Sequence, residues 1–132
     1  GAQLRTVEDI MLTGKKIPFV KENLNMKNAL KILSNKNLGF LLVQNKKKLT
    51  KGIITDGQIR RFSEKKEYLH KLTVGEVMTK NPISINKDSL AVKALALMNE
   101  KKITSLCVHN KKNKNKTIGI IHIHNLLQSN IN

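Results

Sequence analysis

Apolar residues recur at Met26, Ala29, Leu30 and Leu33, the i, i+3, i+4, i+7 spacing of one helical face. Asn25 stands just before them as a helix cap. Gly39 to Gln44 is apolar almost throughout, which predicts a strand covered on both faces. The polar loop Asn45–Lys48 turns the chain into a further strand at Gly52–Thr55, and Gln58–Glu64 opens another helix. Upstream, Leu4–Met11 reads as a short helix and Thr13-Gly14 as a break. Ile17–Val20 reads as a short strand, with Pro18 at its edge or start.

The same order then repeats. A helix is expected at Val74–Met78, a strand at Ile83–Ile85, a helix at Ala91–Glu100 capped by Asp88 or Ser89, strands at Ser105–His109 and Ile118–His122, and a helix at Asn125–Gln128. An offset of 65 carries Met26, Ala29, Leu30 and Leu33 onto Ala91, Ala94, Leu95 and Met98, and Gly39, Leu41 and Val43 onto Thr104, Leu106 and Val108. Nearer the ends of each copy the offset is 67, pairing Val7 with Val74, Met11 with Met78 and Gly52 with Gly119. The pattern divides the chain into a first repeat at 1–64, a linker at 65–73 and a second repeat at 74–132. Two such copies imply similar units that pack on each other and leave symmetry-related crevices, which bind ligands more often than they catalyse reactions.

Composition narrows this. At 132 residues and 39% apolar content the chain can bury a core, and no apolar run approaches the roughly 18 residues of a membrane span. The start shows no signal-peptide pattern, and the single cysteine, Cys107, falls in an apolar strand, as expected of a buried residue in a cytoplasmic protein. A formal charge of +16 invites a nucleic-acid adaptor as the alternative function. Yet the cations are 22 Lys and only 3 Arg, and the aromatics are limited to Phe19, Phe40, Phe62 and Tyr68. Base readout favours Arg forks and single-strand binding favours stacked aromatics, so specific nucleic-acid binding is not expected. The lysines cluster only at Lys46–Lys48 and Lys111–Lys116, the same loop of each copy.

The element order, the segment GIITDGQIRR (Gly52–Arg61) and the twin starts VEDIM and VGEVMT resemble a tandem pair of cystathionine-β-synthase-type (CBS) domains over nearly the whole chain. That likeness implies an α+β fold of two pseudo-twofold-related β-α-β-β-α repeats. More narrowly, VEDIM-x-TG-xx-IP, KNLGF, GIITDGQIRR and ITSLCV…GIIHIHNLL resemble the C-terminal regulatory half of arabinose-5-phosphate isomerases. The resemblance implies a catalytic sugar-isomerase (SIS) domain preceding this chain, with Gly1–Leu4 just past the junction. Such proteins interconvert ribulose 5-phosphate and arabinose 5-phosphate for synthesis of Kdo, the acidic sugar of lipopolysaccharide. It also implies a homodimer, no catalytic residue in this fragment, and a nucleotide in the cleft between copies. The activated end product CMP-Kdo, a phosphodiester with a carboxylate, suits a lysine-rich protein.

CBS domains place Gly-x-x-Ser/Thr-x-x-Asp at the turn from strand to helix, the hydroxyl and helix start near phosphate and the Asp on ribose. The matching residues are Thr55, Asp56 and Gln58 in the first copy and His122, His124 and Asn125 in the second. Both ribose-binding positions therefore hold amides, which lose a charge-assisted bond worth about 1.5–3 kcal/mol and keep a neutral one worth about 1. Losing two carboxylates makes the site friendlier to a dianion. Asn125 can equally cap the helix that follows it, a role expected less of Gln58. The resemblance also places Gly39 and Phe40, and their counterparts Thr104 and Ser105, against ligand, though Phe40 can equally be core. Arg60 and Arg61 are either an anion clamp or a solvated helix face. His122 and His124, two apart, would share one strand face, a spacing some metal sites use, but no third ligand is evident and no metal is expected. If they meet phosphate, an ordinary imidazole pKa of about 6.5 makes affinity rise on mild acidification. Asp56 has no partner with which to form a general acid–base pair.

Overall fold

Helix α2 (Met26–Lys36) begins where Asn25 Oδ1 accepts the Asn28 N–H at 2.8 Å, and it ends at Asn37, which takes the left-handed conformation (φ 57°). Its apolar face buries Met26, Ala29 and Leu33 against Leu41 and Val43 of strand β2 (Phe40–Gln44) and Ile54 of β3 (Thr50–Thr55). In this computed structural model residues 4–131 are described; Asn132 and Gly1–Gln3, part of the expected domain junction, lie outside the described residues.

The chain divides into two compact units, a continuous one at Pro18–Pro82 and a split one made of Gly1–Ile17 with Ile83–Asn132. In the continuous unit β1 (Phe19–Lys21) runs parallel to β2, β2 pairs antiparallel with β3, and β3 with β4 (Thr79–Lys80), in the order β1-β2-β3-β4. Helix α3 (Asp56–Arg60) follows β3. In the split unit β5 (Ser84–Asn86) is parallel to β6 (Ser105–His109), and β6 is antiparallel to β7 (Gly119–His122), with α6 (Ala91–Lys101) between β5 and β6 and α7 (Ile123–Gln128) after β7. Both units thus follow the β-α-β-β-α order of an α+β fold.

The cores match position by position. Met26, Ala29, Leu33, Leu41, Val43 and Ile54 in one unit correspond to Ala91, Ala94, Met98, Leu106, Val108 and Ile121 in the other. The methionine changes ends of the helix, Met26 in α2 and Met98 in α6, and with Ala91 standing where Met26 does, the buried face of α6 is the smaller. The alternate strand residues Phe40, Leu42 and Cys107 are buried as well, which explains the near-continuous apolar runs.

Repeat and compact unit are offset by one element. Helix α1 (Val7–Ile10) belongs to the split unit, and α5 (Val74–Val77) to the continuous one. The Val74 N–H donates to Leu24 O at 2.8 Å, and the Met26 N–H to Leu72 O at 2.9 Å. The split unit repeats this with Val7 N–H to Ser89 O and Ala91 N–H to Arg5 O, each 2.8 Å. Close approach requires two glycines. A Cβ on Gly52 would lie 2.5 Å from Met78 Sδ and 2.8 Å from Thr79 O, and one on Gly119 2.5 Å from Met11 Sδ and 3.0 Å from Leu12 O.

Four local expectations change. The cap of α6 is neither Asp88 nor Ser89 but Leu90, which makes no side-chain cap bond, because Arg5 O already takes the Ala91 N–H and Asp88 pairs with Lys87. The helix after β3 begins at Asp56, two residues before Gln58, because Thr55 caps it. Strand β4 had no apolar signal, its two residues being exposed. Residues 65–73, which read as a linker, contain helix α4 (Lys66–His70), where Leu69 is buried.

Candidate functional site

Each unit brings one set of predicted ligand residues to the end of its sheet. In the continuous unit Phe40 and Thr55 are cross-strand partners, and the Asp56 N–H donates to Gly39 O at 2.9 Å. Gly39 is left-handed (φ 78°), and a Cβ there would lie 3.2 Å from Asp56 Oδ2. Both the conformation and the nearby carboxylate therefore favour glycine. Thr55 Oγ1 accepts the Gln58 N–H at 3.3 Å, and Gln58 Oε1 accepts the Thr55 N–H at 2.9 Å, a reciprocal capping box. Gln58 Nε2 donates onward to Thr79 Oγ1 (2.8 Å) and Val77 O (3.3 Å). Both ends of this amide are thus committed within the unit.

The split unit repeats the plan with other chemistry. Ser105 pairs with His122 across the strands, and the Ile123 N–H donates to Thr104 O at 2.8 Å, as Asp56 does to Gly39. His122 caps α7: its Nδ1 accepts the His124 N–H at 3.1 Å, and Asn125 Oδ1 accepts the His122 N–H at 2.8 Å. The two imidazoles stack, with centroids 4.7 Å apart and 26° between planes. They do so from a strand end and a helix turn, and not from one face of a single strand. An Nδ1 that accepts must be unprotonated, and burial, with the neighbouring His124 second, holds the His122 pKa below the ordinary imidazole value.

Most predicted residues therefore collect into two clusters, one per unit. Arg60 and Arg61 stand exposed at the far end of α3, away from its capped start, and Phe40 is a core residue at 3% exposure. Asp56, Thr104 and His124 are exposed, while Thr55, Gln58, Ser105, His122 and Asn125 are half-buried. Among the described residues no group of three or more His, Cys, Asp and Glu could hold a metal. Burial pushes the Cys107 thiol pKa up to about 11, which removes it as a nucleophile. Thr79 and Val77 were not foreseen as site residues. They belong by sequence to the start of the second repeat, and only the offset between repeat and unit brings them to Gln58.

Each unit thus carries the same capped strand-to-helix turn on a mixed sheet. The chain belongs to the CBS domain family, whose model matches residues 7–65 and 74–131. The arabinose 5-phosphate isomerase KdsD of Francisella tularensis is 40% identical over 122 residues, 92% of this chain and 36% of that protein. The chain spans between 36% and 40% of the length of the curated relatives it matches. Among solved structures, CBSX2 in complex with AMP has a TM-score of 0.83 at 24% identity, with 95% of each chain covered. A CBS domain pair in complex with 5′-methylthioadenosine and S-adenosyl-L-methionine has a TM-score of 0.80 at 22% identity, with 95% of this chain and 94% of that one covered.

Proposed function

We propose that this chain is the regulatory module of an arabinose-5-phosphate isomerase and that it senses an anionic nucleotide such as CMP-Kdo. The catalytic sugar-isomerase domain then belongs to the rest of the parent protein, which feeds Kdo and lipopolysaccharide synthesis in the cytoplasm as a homodimer. No helix among the described residues is long and apolar enough to cross a membrane. The observation that carries the ligand choice is the amide at both ribose positions, Gln58 and Asn125, in a chain of charge +16. A CBS pair that binds adenosine through a carboxylate there would lose its charge-assisted bond.

The turn in the split unit is the better ligand contact. Gln58 spends both ends of its amide on Thr55, Thr79 and Val77, whereas among the described residues Asn125 uses only its oxygen, on His122. The Asn125 amide N–H groups and the exposed Thr104 and His124 side chains remain to donate to a phosphodiester or carboxylate. Binding would regulate the parent only as far as it discriminates between two states of the protein.

Calorimetry and thermal shift at constant ionic strength test this with CMP-Kdo, CMP, AMP and S-adenosylmethionine. At 100 times its Kd the cytidine-sugar ester should stabilise by about 2.7 kcal/mol, and Asn125→Asp should weaken it through charge repulsion. Stabilisation by adenylates alone would refute the ligand choice. Affinity for single-stranded DNA that falls steeply with salt, with no response to any nucleotide, would favour the nucleic-acid adaptor.

A further inference from the structure

The continuous unit has a second concave feature, at the opposite end of its sheet from the Thr55–Gln58 turn. A cavity of ≈ 490 Å³ is lined there by Lys21 at the end of β1 and Glu22 after it, Gln44 and Asn45 at the end of β2, and Lys46 and Lys48 of the following loop. That volume falls in the range of about 300–1,000 Å³ that small-molecule sites occupy.

Its walls are held by backbone. Asn45 Oδ1 accepts the N–H groups of Lys47 (3.0 Å) and Leu49 (2.9 Å), and the Lys48 N–H donates to Asn45 O at 2.9 Å with Lys48 left-handed (φ 63°). On the other side Glu22 O accepts the Gly75 N–H at 2.8 Å, and a Cβ on Gly75 would lie 3.2 Å from that oxygen, so α5 seats directly under the β1 end.

Charge is the unusual part. Three lysines face one carboxylate, and among the described residues none of Lys21, Lys46 and Lys48 has an ion-pair partner. The split unit handles the same place differently. At an offset of 65, Lys21-Glu22-Asn23 becomes Asn86-Lys87-Asp88, and Lys87 is neutralised by Asp88 at 2.9 Å and Glu8 at 3.5 Å. At this position one copy pairs its lysine, while the other sets Lys21, unpaired among the described residues, in a concave wall with Lys46 and Lys48 beside amide groups.

We propose that this cavity binds a small phosphate ester carrying hydroxyl groups. The lysine ammonium groups take the phosphate, while the Glu22 carboxylate and the Gln44 amide take hydroxyls. The site is independent of the strand-to-helix turns and survives their failure.

The test is an NMR titration of the 132-residue chain at fixed ionic strength with inorganic phosphate, ribose and ribose 5-phosphate as probes. Ribose 5-phosphate should move the amides of Gln44, Asn45 and Lys46 saturably, leave those of Thr104 and His124 in place, and bind more tightly than either fragment. The double variant Lys46→Ala/Lys48→Ala should weaken it about tenfold, and Lys111→Ala/Lys112→Ala, in the matching loop of the split unit, should not. Glu22→Gln should weaken ribose 5-phosphate more than inorganic phosphate. Equal weakening by both lysine pairs would mark diffuse attraction to net charge and overturn the proposal, as would the absence of saturable shifts.

Discussion

At Thr55–Gln58 a hydroxyl and an amide close the turn, whereas at His122–Asn125 an imidazole and an amide do. The first turn is tied a second time, through Gln58 Nε2 to Thr79 and Val77. The second has no such tie among the described residues, and its cap depends on an Nδ1 that protons compete for. Duplicated architecture has thus kept its backbone hydrogen bonds, Asp56 to Gly39 and Ile123 to Thr104, while the side chains divided between fastening and exposure. Such a pair can share one fold and differ in which copy responds to ligand or acid.

The largest test of this difference is steric. Gly52→Ala puts a methyl group 2.8 Å from the Thr79 carbonyl oxygen as well as against Met78, and Gly119→Ala meets Met11 as closely but the Leu12 carbonyl oxygen farther off, at 3.0 Å. Urea unfolding should show a loss of about 2–3 kcal/mol for the first and about 1–2 for the second. Equal losses would mean that the two units tolerate close approach alike. Next, Gln58→Ala should cost about 2 kcal/mol and Asn125→Ala about 1; reversed values would contradict the extra fastening of the first turn.

A smaller effect separates the turns by pH. The folded-state pKa of His122 lies below its unfolded value, so its contribution to stability is complete above about 6.5 and is lost as pH falls through the depressed folded value. The urea midpoint should therefore drop between neutral and mildly acidic pH. His122→Asn should flatten that slope only partly, because burial, helped by Lys114, depresses His109 in the same direction. An unchanged slope would remove the cap at His122 as a source of acid sensitivity. The least change is expected from Lys87→Ala, whose exposed pairs with Glu8 and Asp88 should leave the midpoint nearly where it was.

Much of this was legible in the residues. The i, i+3, i+4 faces of α2 and α6, the apolar runs of β2 and β6, and the pairing of Gly52 with Gly119 and Met11 with Met78 are local patterns that repeat at fixed offsets. The candidate turns followed from the family resemblance, and the two ribose-position amides could be placed but their bonding could not. Gln58 is fastened by residues 19 and 21 positions away, and α6 begins on a carbonyl from Arg5. Contacts of that kind leave no mark on periodicity. Leu69 was hidden for a related reason, as one buried residue in the mostly polar run KKEYLHKLT. The cavity at Lys21 and Lys46–Lys48 was visible only as a cluster of charge until the loop geometry gave it walls.

The nesting of Pro18–Pro82 inside the split unit governs assembly order. During synthesis the inner body has all its residues once Pro82 has emerged, whereas Leu4–Ile17 must wait for its bridging partners downstream, Leu90 for Thr6 and Ile120 for Leu12. Deleting that leading stretch should therefore spare the neighbouring sequence and unravel the distant end of the polypeptide.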